Sequence, residues 1–493
     1  MATKSPGARW ERGTGTRDGS SAGGGPGTRP GGRDRHGPRF ERQLDARSLT
    51  LLTLGGIMGS GLFLASGMAI RLAGPAVLGV FLVGFLAMAL EITALGEMAA
   101  ADPTPGSFLV YCQRVLGPGF TFVTGWIYWF SSVLTMSSEV TAAALFTRAW
   151  APATPLWVWS LAYSAMIVAL NFASVRGFGQ VEGVLAGVKV VAVLLFLAAG
   201  LLAFLGVLPA RGTGLRPWSN LLAHGGWLPH GLGGAAAALL LVLFAYAGTG
   251  VVGMAAAETR EPARTIRGSV RATIALVAVL YLGSALLLLT LVPWTAAPTH
   301  QSPFVHAVGV LGLPFAAALL NLVLLSAVLS TMNAALYANV RVLYSLAHEG
   351  HAPRALGRLN RRGLPAAATW TSAALLLGAI VLAYALPHRA YAYLVTATGF
   401  QAMFIWLIVL LTHLRYRPYL ERHRPAALGF RLPGYPYTTL LPMFIVLVAL
   451  AAAFRQASEV VGAAVGFGGI LVAALAWLAL RHRLRPGVAG GEG

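Results

Sequence analysis

Apolar residues in this chain come in long unbroken runs, and turn residues close each run. A helix that crosses a bilayer needs roughly 20 mostly apolar residues. Twelve runs meet that length: 49–72, 75–100, 118–148, 155–174, 180–208, 234–257, 270–293, 315–346, 365–386, 390–414, 437–455 and 460–481. Gly74-Pro75, Pro103 with Pro105, Gly117-Pro118, Pro152 with Pro155, Pro365 and the stretch from Pro433 to Pro436 punctuate them. The pattern predicts an all-α polytopic membrane protein with twelve transmembrane helices.

Two of the runs are interrupted by glycine at matching places. The first carries Gly55-Gly56-Ile57-Met58-Gly59-Ser60-Gly61, and the sixth carries Ala245-Tyr246-Ala247-Gly248-Thr249-Gly250 with Gly253 behind. Lipid cannot satisfy free N–H and C=O groups, so broken backbone survives at membrane depth only where it lines a cavity or a ligand. A pair of Gly-interrupted spans, one in each half of a polytopic chain, points to a transporter's substrate site. The spacing implies two five-helix halves of opposite topology plus two extra helices at the end. Close helix packing through small residues also explains Gly55 and Gly59. Four glycines in seven residues exceed that need, and each costs about 1 kcal/mol of helix stability.

Composition agrees with the run pattern. The chain has 493 residues, 57% of them hydrophobic and 11% charged, too few charges to cover a water-soluble protein of this size. The net charge of +20 does not imply a nucleic-acid partner, because no basic stripe or zinc-finger spacing occurs. The cations collect in short segments between apolar runs. Arg260, Arg264, Arg267 and Arg271 follow the sixth run, and Arg354, Arg358, Arg361 and Arg362 follow the eighth. Arg415, Arg417, Arg422, Arg424 and Arg431 follow the tenth, and Arg481, Arg483 and Arg485 close the chain. Alternate loops hold only scattered cations such as Arg211, Arg216 and Arg389. This bias places both termini in the cytoplasm of a multi-pass plasma-membrane protein. Residues 1–43, rich in Gly, Arg and Pro, read as a disordered cytoplasmic tail without a signal peptide, 44–482 as the transmembrane domain, and 483–493 as a second tail. The lone Cys112 excludes an intrachain disulfide and reads as an apolar filler.

An unwound segment exposes N–H groups at the start of the following half-helix, and these attract an anion. Ser60, Gly61 and Leu62 are placed to meet a carboxylate. Carbonyls near Ile57, with others near Ala245 and Ala247, suit an ammonium group. Together the breaks can hold both ends of a zwitterion, and glycines such as Gly59 and Gly248 let it approach the main chain. Phe244 and Tyr246 flank the second break, so one of them is expected to cover the substrate.

Lys189 interrupts an apolar stretch from Val184 to Phe196, and Glu182 lies two helical turns earlier on nearly the same face. A charged lysine at that depth is expensive and marks a functional site. It is expected to exchange a proton in step with transport; the bland alternative is a side chain snorkelling to the surface. Among the intramembrane acids Glu91, Glu97 and Glu139, Glu97 reads as structural and Glu139 as a partner of backbone or serine groups. Trp126, Tyr128 and Trp129 read as packing or interfacial anchors. His348-Glu349-Gly350-His351 has its histidines three apart, not four, so it is not a zinc-protease motif. No Walker motif and no nucleophile–base pair occurs. No enzyme activity, cofactor or metal is expected.

Four stretches carry a family resemblance: Leu54 to Phe63, Ala94 to Ala99, Phe244 to Thr249 continuing to Pro262, and Leu336 to Tyr344 continuing to Pro353. Over residues 44 to 455 the chain resembles the bacterial amino acid permeases of the amino acid–polyamine–organocation superfamily. The resemblance implies the inverted five-plus-five (LeuT-like) fold and alternating access. It implies that Ser60 and Gly61 meet the substrate carboxylate, that the Ile57 and Ala247 carbonyls meet the amine, and that Phe244 is the aromatic gate. It matches Lys189 to the buried lysine of proton-coupled relatives. Gly250 departs from the family, whose members usually carry glutamate there, and this weighs against a cationic substrate. The expected function is proton-coupled amino acid import. An obligate exchanger is the first alternative, and a channel-like or receptor-type protein the second.

Overall fold

The computed structural model describes residues 44–104, 107–173, 178–207, 217–222, 224–259, 261–360, 364–455 and 457–482. The two tails, together with Arg211, Arg216, Arg260, Arg361, Arg362, Arg483 and Arg485, lie outside the described residues. Among the described residues the protein is helical without strands; its single β-type contact is an isolated parallel bridge between Leu44 and Thr259.

The helices are α1 (Ala46–Ile57), α2 (Ser66–Ala73), α3 (Val77–Ala101), α4 (Phe108–Val115), α5 (Pro118–Thr147), α6 (Leu156–Ala173), α7 (Phe178–Phe204), α8 (Pro217–Leu222) and α9 (Gly231–Ala245). They continue with α10 (Val251–Met254), α11 (Pro262–Val277), α12 (Gly283–Leu291), α13 (Pro303–Val310), α14 (Pro314–His348), α15 (Ala366–Ala385), α16 (Ala390–His423), α17 (Tyr437–Ala452) and α18 (Ala457–Leu480). Proline opens α5, α11, α13 and α14, at a first-turn position where its missing N–H costs nothing. Asp45 caps α1 by accepting from the Ser48 N–H at 2.8 Å.

Each apolar run read from the sequence falls on a helix or on an interrupted pair of helices. By length and composition, seven helices among the described residues suffice to cross a membrane, and three shorter apolar ones accompany them. The surface agrees with a lipid environment: Leu195, Phe315, Val381, Phe444 and Val472 are all more than 60% exposed. The sequence reading missed three short helices, α4, α8 and α13, which are too brief to produce a long apolar run. It also ended the tenth run nine residues early, because charged residues from Arg415 onward mask the continuing helix α16 to His423.

The main core joins α1, α2, α3 and α9 to α11 and α12. Aromatic rings fill it. Phe63 meets Phe304 edge-on at 5.7 Å, and Tyr246 stacks on Tyr281 at 4.8 Å. On the other side α14 lies along α5, and α16 packs between α5 and α18. Glu97, read as structural, ties α3 to the segment before α17: its Oε2 accepts from the Leu432 N–H at 2.5 Å and lies 3.5 Å from Arg417 Nη1.

Candidate functional site at the two helix breaks

The helix that begins with α1 does stop where its glycines cluster. After Ile57 the chain bends at Met58 and Gly59, then resumes at Ser60 and runs on as a wide π-helical stretch, Gly61–Ala65, before α2. The second break lies between α9 and α10, where Tyr246 to Gly250 leave the helix. Gly248 sits there at φ +110°, a conformation that a side chain strongly disfavours, and a Cβ on it would run into the Gly56 carbonyl. At Gly61 an added Cβ would lie 2.7 Å from the Ala245 Cα, so the two interrupted helices cross with bare backbone against bare backbone.

Between the breaks lies a cavity of about 170 Å³. Six of the expected contact residues line it: Ile57, Gly59, Gly61, Phe244, Ala247 and Gly248. Helices α3, α5, α14 and α16 supply the remaining walls, with Glu91, Glu139, Thr331 and Trp406 among them. Toward one end the cavity reaches Phe108, Tyr128 and Met254.

Ser60 is turned away from this lining and is fully buried. Its N–H donates to both oxygens of Glu139 at 3.1 Å, and its hydroxyl donates to Glu139 Oε1 at 3.0 Å. The anion-seeking end of the broken helix therefore already faces a carboxylate from α5. Gly59 leaves room for it, since a Cβ there would sit 2.6 Å from Glu139 Oε1.

The carbonyls of the first break are also engaged. Tyr281 donates to the Ile57 oxygen at 3.1 Å and Tyr391 to the Ser60 oxygen at 3.0 Å. Lys189 is 1% exposed and does not snorkel. Its Nζ donates to the Gly55 carbonyl and to Thr331 Oγ1, both at 3.1 Å, and lies 4.0 Å from Glu182 Oε1. Glu182 in turn accepts from Ser330 at 2.5 Å. The lysine thus stands behind the break rather than in the cavity, and it joins α7 to α1 and α14.

A second cavity, also about 170 Å³, lies beyond Tyr391 and is lined by Arg71, His300, His388 and Glu459. Tyr391 borders it while donating to the Ser60 carbonyl at the first break. Sequence reasoning missed Tyr281, Thr331 and Tyr391 as parts of the site. Each reaches the break from more than 200 residues away, and nothing local in their own segments announces it. Glu91 was visible as an acid in an apolar run but had no assigned role.

The family model described as amino acid permease matches residues 48–480. The chain is 34% identical to "Uncharacterized amino acid permease YtnA" of Bacillus subtilis (strain 168), across 85% of this chain and 91% of that protein. It is 33% identical to the "Gamma-aminobutyric acid permease" of the same organism, across 88% and 93%. It is also 33% identical to that organism's "Amino-acid permease RocE", across 84% and 90%.

Proposed function

The chain belongs to the amino acid permease family, and we propose that it is a secondary transporter that imports amino acids across the plasma membrane by alternating access, driven by protons. The observation that carries this reading is the single cavity shared by both helix breaks. A backbone broken at membrane depth costs several kcal/mol per unsatisfied polar group, so it is retained where a polar solute visits. The site holds a zwitterion with its carboxylate toward Gly61 and its amine toward the Ile57 and Ala247 carbonyls, under Phe244. In this reading the chain crosses the membrane twelve times, its first ten helices form two inverted halves, and both termini are cytoplasmic. The cavity's extension toward Phe108 and Met254 then faces the cytoplasm, and Tyr391 closes the outer side.

Lys189 couples protons to the cycle. Its ammonium links the Gly55 carbonyl, Thr331 and the Glu182 carboxylate. Loss of its proton removes the charge that faces Glu182 and weakens its grip on α1, which frees the break to rearrange. A ligand or proton shifts such an equilibrium only by binding the two states differently, and this contact supplies that difference.

Radiolabelled uptake by the full-length protein in proteoliposomes, with and without an imposed pH gradient, tests the reading. Saturable uptake that accumulates only with the gradient is expected. Saturable counterflow without a proton requirement would convert the protein to an exchanger, and unsaturable flux would convert it to a channel.

A further inference from the structure

One acid in the cavity wall has no part in the transport cycle described above. Glu91 lies in α3, is 1% exposed, and lines the cavity between the breaks. Among the described residues its Oε2 has no hydrogen-bond partner and no cation pairs with it. Its neighbours differ in this respect. Glu139 takes three hydrogen bonds from Ser60, and Glu182 takes one from Ser330 and has Lys189 at 4.0 Å. Burying a carboxylate oxygen without a partner is costly, and a protein keeps such a group where something completes it.

The surroundings of Glu91 say what that something is. Thr249, in the second break, borders the same cavity as Glu91. Beside Thr249 stands Gly250, where an added Cβ would meet nothing within 4 Å. Gly250 and Glu91 border the same cavity. The cavity therefore has open space at Gly250 and, in its wall, a buried carboxyl group with an acceptor to spare. The sequence weighed against a cationic substrate because Gly250 bears no acid. The fold supplies an acid to the same cavity from a different helix.

We propose that Glu91 is a specificity-determining residue that selects amino acids carrying a second, cationic nitrogen on the side chain. The α-carboxylate faces Gly61, the α-amine faces the Ile57 and Ala247 carbonyls, and the distal ammonium reaches Glu91 within the same cavity. This placement rests on the reading of the cavity as an amino acid site. An arriving ammonium pairs with the buried acid and holds it ionised, whereas an uncharged solute leaves it unpaired, so the site discriminates between an ammonium and a methyl end.

The test compares lysine with norleucine, which has the same chain without the terminal ammonium, as radiolabelled substrates of the full-length protein in proteoliposomes. The wild type is expected to take up lysine with a KM about tenfold below that of norleucine. E91Q is expected to raise the lysine KM about tenfold and leave that of norleucine within twofold, and E91D to restore part of the preference. Norleucine preferred by the wild type, or equal changes for both substrates in E91Q, would overturn the assignment while leaving the permease reading intact. Saturable uptake of no amino acid at all would sink both together. Should E91Q fail to fold, the wild-type preference and E91D decide the matter.

Discussion

The two helix breaks look alike in sequence and are held open in opposite ways. The first is braced from outside: Lys189, Glu139, Thr331, Tyr281 and Tyr391 bring side chains from α5, α7, α14, α16 and the π-helical turn before α12 onto Gly55 through Ser60. The second is held by its own main chain. The Tyr246 N–H reaches back to Leu243, the Ala247 N–H to Phe244, and Gly248 turns against Gly56. Among the described residues its one long-range side-chain bond runs from Tyr246 to the Phe81 carbonyl at 3.0 Å, outward from the break. One unwound segment is therefore a node that reports on five neighbours, and the other is a turn that leaves its surroundings open. Clustered glycines alone do not distinguish these outcomes. The side chains that arrive from elsewhere do.

Substitutions can break this contrast. Lys189→Met removes the central brace and leaves Glu182 buried without its cation, a change worth about 3–5 kcal/mol. A loss of uptake of at least a hundredfold is expected, read from initial rates normalised to protein in the vesicle. Unchanged proton-driven accumulation would remove Lys189 from the coupling role. Gly248→Ala attacks the self-held turn instead. Strain at φ +110° costs about 1–3 kcal/mol before the clash with Gly56 is counted. A lower melting temperature of the detergent-solubilised protein and uptake reduced more than tenfold are expected.

Tyr281→Phe trims a single brace. It deletes the hydrogen bond to the Ile57 carbonyl and keeps the stack on Tyr246, so about 1 kcal/mol and a roughly fivefold fall in uptake are expected. A complete loss would mean that Tyr281 touches the solute directly. The mildest change is Gly250→Ala. The added methyl enters open space, so stability within about 0.5 kcal/mol of wild type is expected by thermal melting. A large destabilisation there would show that the turn is as tightly built as the first break.

The helical layout was legible because lipid imposes it. Long apolar runs, prolines at their starts and glycines at their interruptions are local signals, and they located the helices and both breaks. The site was legible only on its backbone side. Ile57, Gly59, Gly61, Phe244, Ala247 and Gly248 sit within the glycine motifs and do line one cavity. The side chains that complete it come from distant segments whose local pattern is that of any apolar helix. Tyr391 falls in the tenth apolar run with no local mark of a role, and its bond to Ser60 exists only because α16 packs beside the break. Glu139 was recognisable as a partner for serine or backbone groups, while its position on the Ser60 N–H depended on the crossing of α5 with the first break.

The contact between Gly248 and Gly56 has a mechanical consequence. Knobs from side chains lock most crossing helices together, and moving one past another forces rotamers to jump. At Gly248 main chain meets main chain with no side chain between, so in the proposed alternating-access cycle this point would serve as a bearing. A single methyl group placed there is grit.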